Sequence, residues 1–125
     1  MSEKQEIKKA TEKTRFKVDV WGFYITFYSS VDVAMRETRE LLDEISCYTY
    51  DDEQEIVIVI DADAAKVGEA LFYRYLSHEC NHAAMNILNR VAVPFDYKNQ
   101  EALCYTQDFI FAEILDKLSI NSMET

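Results

Sequence analysis

The segment Gln54–Ile60 limits the fold more than any other stretch of the chain. Its centre, Ile56-Val57-Ile58-Val59-Ile60, is the longest uninterrupted apolar run. Consecutive β-branched residues favour extended backbone. An extended run sends alternate side chains to opposite faces, so apolar residues at every position call for cover on both. The neighbouring sequence must therefore supply layers for two sides of a sheet. The run is far shorter than the roughly 20 apolar residues needed to span a membrane.

The flanking segments can supply those layers. Arg15–Trp21 alternates Phe16, Val18 and Val20 with Lys17 and Asp19, the period of a half-buried strand. Phe23–Tyr28 is aromatic and β-branched and reads as a second strand. The two form either a hairpin around Trp21-Gly22 or one bent strand. Ser29 or Ser30 then caps a helix with Asp32 in its first turn. Val31, Ala34, Thr38, Leu41, Leu42 and Ile45 make its apolar stripe, about four turns long. Cys47–Asp52 reads as a connection. A long helix is expected over 64–90 with Asp63 as its N-cap, then a loop holding Pro94, then a last helix over 99–118. The order β-β-α-β-α-α predicts an α+β domain with a small mixed sheet.

A length of 125 residues allows one such domain. It is expected over residues 16–118, with a charged N-terminal arm over 1–15 and a short tail over 119–125. The net charge of −10 argues against nucleic-acid binding, which needs clustered Lys and Arg. Cys47, Cys80 and Cys104 make an odd count without CxxC spacing. Together with the lack of a secretory-type apolar segment, they predict reduced thiols and a cytoplasmic protein.

The chemistry is concentrated on the long helix. The chain has two histidines, and both lie in His78-Glu79-Cys80-Asn81-His82, an HExxH motif. Chance placement of two histidines would give this pattern roughly one time in 600. At i and i+4 the imidazoles share one helix face and can reach a single metal ion. Zn²⁺ is the expected metal, with Glu79 as general base toward a zinc-activated water. Leu71, Tyr75, His78, His82, Met85 and Asn89 form one stripe. Phe72, Leu76, Cys80, Ala83 and Ile87 form a second, wholly apolar one, which makes Cys80 a structural thiol.

A hydrolytic zinc usually takes three protein ligands and keeps one position for water. With no further histidine, Glu101 near the start of the last helix is the candidate third ligand. Pro94 lies in a loop that lets this helix fold back on the first. Glu101, Tyr105, Asp108, Ala112 and Leu115 share one helical face. Tyr105 is placed to donate to an oxyanion and Asp108 to support a ligand. The competing readings are a first-turn carboxylate favoured by the helix dipole for Glu101, packing for Tyr105 and solvation for Asp108. A di-iron carboxylate bundle would need a second ExxH motif, and a zinc deaminase would need HxE with PCxxC. Neither pattern is present.

These segments resemble the gluzincin clan of zinc metallopeptidases. More closely, they resemble the very small zincin-like proteins of bacteriophages and prophages. The matching stretches are His78-Glu79-Cys80-Asn81-His82-Ala83-Ala84 and Glu101-Ala102-Leu103-Cys104-Tyr105. The resemblance implies a minimal zincin-like core, with zinc ligands His78, His82 and Glu101 and catalytic Glu79. It also implies a peptide or protein substrate. The alternative is a zincin-fold phage protein, weak or inactive as an enzyme, that binds a host or virion protein in the bacterial cytoplasm. Tyr105 stands where the large thermolysin-like members carry an Asp that supports a histidine ligand. That support would fall to Asp108, Asp61 or Asp63.

Overall fold

The computed structural model describes residues 13–50, 53–62 and 69–123. Asp63, the start of the long helix and most of the N-terminal arm lie outside the described residues. Four strands form one mixed sheet: β1 (Lys13–Val18), β2 (Phe23–Tyr28), β3 (Ile45–Thr49) and β4 (Glu55–Ile60). Their spatial order is β1-β2-β4-β3. β1 pairs antiparallel with β2, β2 parallel with β4, and β4 antiparallel with β3. Three α-helices complete the fold: α1 (Val31–Thr38), α2 (Glu69–Arg90) and α3 (Gln100–Met123). This is the expected α+β architecture in the expected order β-β-α-β-α-α, with β3 added where the sequence reads as a connection.

β4 is covered on both faces, as its composition requires. Ile56, Ile58 and Ile60 enter the larger core with Phe23, Ile25 and Phe27 of β2 and Leu76, Cys80 and Ile87 of α2. Val57 and Val59 enter a smaller core on the opposite face with Tyr28 and Ala34. α2 and α3 thus cover one face, and α1 the other. β1 and β2 form a hairpin, and the chain turns at Gly22 with φ of 74°. Both Trp21 and Gly22 donate backbone N–H groups to the Val18 carbonyl, at 3.1 and 2.9 Å.

Ser30 caps α1 by accepting from the Val33 N–H at 3.3 Å. Asp61, at the end of β4, accepts from the Val31 N–H at 2.8 Å. A carboxylate at a helix N-terminus is favoured by the free amides and the macrodipole. α1 ends at Thr38, well short of the four turns that the stripe suggests. The Thr38 hydroxyl donates to the Ala34 carbonyl at 2.7 Å and accepts from the Glu40 N–H at 3.2 Å. Arg39 then adopts left-handed backbone, φ 61°, and its N–H closes on the Met35 carbonyl. This satisfies groups that a continuing helix would have used. Leu41, counted in the stripe, is 96% exposed, while Ile45 begins the strand paired with Ile60. α3 passes the expected end at Leu118 and runs to Met123. Among the described residues no helix is long and apolar enough to cross a membrane.

Candidate functional site

α2 sits over the sheet between α3 and the edge strand β3, and each of its sides has a different task. Phe72, Leu76, Cys80, Ala83, Ala84 and Ile87 point into the larger core. On the α3 side, Asn81 donates to the Gln107 side chain at 2.8 Å, and Gln107 donates back to the Ser77 carbonyl at 3.3 Å. On the β3 side, Asn86 donates to the Thr49 hydroxyl at 2.9 Å, and Arg90 donates to the Tyr50 carbonyl. What remains is the side turned away from the sheet, and His78 and His82 occupy it. Both are exposed.

The two imidazoles stand edge to face, with ring centroids 4.8 Å apart. Their Nε2 atoms are 3.2 Å apart. Two nitrogens held by one tetrahedral zinc, at Zn–N of about 2.0–2.1 Å, lie about 3.3 Å from each other. In the structure this contact is a hydrogen bond between the rings, and a metal held by both nitrogens would replace it with no change in the helix. Helix geometry puts residues four apart on one face, and the rotamers of the two rings set the distance between their nitrogens.

Glu79 follows His78 by one position and so turns about 100° around the helix axis, toward β3. It is 6% exposed. Its neighbours include Cys47 of β3 and Cys80. Burial pushes the Cys47 thiol up to about 12, with the Glu79 carboxylate adding to the effect. The same causes, in the same order, push Cys80 up to about 12. No buried side-chain oxygen among the described residues lacks a hydrogen-bond partner, so the Glu79 carboxylate is not a stranded buried acid. Cys80 is the buried thiol that the apolar stripe predicts.

Glu101 and Tyr105 do not join the pair. Both are exposed on α3, Tyr105 at 68%, and neither hydrogen-bonds to either histidine. Among the described residues no group of three His, Cys, Asp or Glu side chains stands close enough to hold one metal ion. The rotation of α3 explains this. Thr106 accepts from the Trp21 indole N–H at 2.9 Å, and Gln107 is tied to α2. With Thr106, Ile110, Ile114 and Leu118 turned inward, Glu101, Tyr105, Asp108 and Ala112 face solvent. Of the three acids considered as support for a histidine, Asp108 shares that exposed face and Asp61 caps α1. Asp63 lies outside the described residues.

Cys47 and Thr49, which read as part of a connection in the sequence, lie on β3 and border Glu79 and Asn86. The signal was there: Ile45, Tyr48, Thr49 and Tyr50 are β-formers in a short segment. No family model, curated protein or solved structure matches this chain in comparison.

Proposed function

We propose that the chain is a small zinc-dependent peptide hydrolase built on the HExxH helix, acting in the cytoplasm. The observation that carries this reading is the separation of 3.2 Å between the His78 and His82 Nε2 atoms, with Glu79 next in sequence. The two histidines would hold the metal. Bound Zn²⁺ supplies Lewis acidity toward water and the scissile carbonyl. Glu79 would accept the proton of the attacking water and return it to the leaving amine. Its place on the same helix, one position from His78 and facing β3, supports that role. Free Cys47, Cys80 and Cys104 agree with a reducing compartment.

A second reading has its own observation. No third donor stands by the histidines among the described residues, which suits a zincin-like phage protein that binds a host or virion protein and turns over little. A mixed peptide library separates the two. Under the hydrolase reading, wild type cleaves, and Glu79→Gln keeps the fold and zinc but loses at least about 10²-fold in rate, the range of general acid–base catalysis. Equal cleavage by both would assign the activity to another site. Bound zinc with no cleavage by wild type would favour the binding protein.

A further inference from the structure

We propose that His78 and His82 form half of a metal site that a second copy of this chain completes, so that two pairs hold one Zn²⁺ between two chains. The proposal rests on the metal-binding part of the reading above and not on hydrolysis. It assigns a regulatory state to that site. Four imidazoles close the coordination sphere, so the dimer is a resting form and the monomer the open one.

Ligand number is the first argument. A closed zinc site takes four donors in a tetrahedron, and this chain offers two on one rigid helix. No third His, Cys, Asp or Glu joins them among the described residues. Placement is the second. The pair lies on the side of α2 opposite the sheet, so a second molecule meets it without displacing any core residue. Charge is the third. The stripe Leu71, Tyr75, His78, His82, Met85 and Asn89, of which His78, His82 and Asn89 are exposed, carries no carboxylate and no Lys or Arg, on a chain of net charge −10. Two copies otherwise repel each other, and this stripe is a line along which they can approach. Symmetry is the fourth. A two-fold axis through the metal presents the same pair from each copy, and such an isologous contact closes at two chains.

The test is the mass of the full chain in solution, by sedimentation or light scattering. With chelator the expected mass is 14.6 kDa. At about half an equivalent of Zn²⁺ per chain, filling one four-donor site per two chains, it should double. Added chelator should reverse the change, and excess Zn²⁺ should restore monomers by giving each pair its own ion. His78→Ala and His82→Ala should stay monomeric at every zinc level. Both side chains are exposed, so circular dichroism should show the helices intact. Zinc bound by a chain that stays monomeric at half an equivalent would overturn the dimer and leave the hydrolase standing. A zinc-dependent dimer that survives His78→Ala would also overturn it. Absence of zinc binding would overturn both readings. Dimerisation without any Glu79-dependent cleavage by the monomer would overturn only the hydrolase.

Discussion

Replacing Glu79 with Met should leave stability within about 1.5 kcal/mol of wild type. The side chain is 6% exposed and faces β3, yet no buried side-chain oxygen or nitrogen among the described residues lacks a hydrogen-bond partner, so the carboxyl is not stranded in the core. Met is unbranched like Glu and of similar volume, and swaps that conserve volume usually cost less than about 1.5 kcal/mol. Unfolding entropy near 2.1 cal/mol/K per residue comes to roughly 0.26 kcal/mol/K over 125 residues. The melting temperature should then move by no more than about 6 °C, as read by scanning calorimetry with chelator present. Glu79→Gln should stay within about 0.5 kcal/mol of wild type. A Glu79→Met protein stabilised by about 3 kcal/mol, or roughly 11 °C, would show that the carboxyl is held unpaired in the fold and would refute this reasoning. Unchanged stability together with loss of hydrolysis is the pattern of a group that serves chemistry and not the fold.

Two further outcomes follow from the same geometry. Zn²⁺ at about 100 times its Kd should stabilise the folded chain by about 2.7 kcal/mol, or roughly 10 °C in Tm. The shift should vanish in His78→Ala and His82→Ala but persist in Glu101→Ala, and its loss in Glu101→Ala would place that carboxylate on the metal after all. Thiol labelling should be uneven at pH 8. Exposed Cys104 should react first, while Cys47 and Cys80, pushed up to about 12, are thiolate in only about one molecule in 10⁴. Labelling of half-buried Cys47 and buried Cys80 should accelerate as pH rises toward that value, and equal rates for all three at pH 8, followed by mass spectrometry of peptides, would contradict the shielding described for them.

What the sequence made legible was whatever a single element decides. β4 could be read because an all-apolar run needs cover on both sides, whatever supplies it. The Ser30 cap could be read because its partner, the Val33 N–H, lies three residues on. β3 was harder. Its residues are all half-buried at the sheet edge, so Ile45-Ser46-Cys47-Tyr48-Thr49 shows neither a continuous run nor a clean alternation. The end of α1 was hidden for another reason, since left-handed backbone at Arg39 falls on a residue with no preference for it.

The candidate site divides along the same line. The 3.2 Å separation of the histidine Nε2 atoms is set inside one helix, and the i, i+4 spacing announces it. The place of Glu101 depends instead on how α3 is rotated against α2. Periodicity does not choose that rotation, because Leu103, Phe109, Ile110, Phe111, Ile114 and Leu115 put apolar side chains around most of the helix. The choice falls to contacts between distant segments: Trp21 with Thr106, 85 positions apart, and Asn81 with Gln107, 26 apart. Neither pair has a local signature. Releasing the first contact offers a direct check. Thr106→Val removes the acceptor of the Trp21 indole and should cost about 1–3 kcal/mol, because a part-buried donor loses its partner. If the contact sets the rotation, the variant also loosens the restraint that keeps Glu101 facing solvent, and zinc affinity should change. If affinity stays at the wild-type value while stability falls, the histidines bind the metal independently of how α3 is turned.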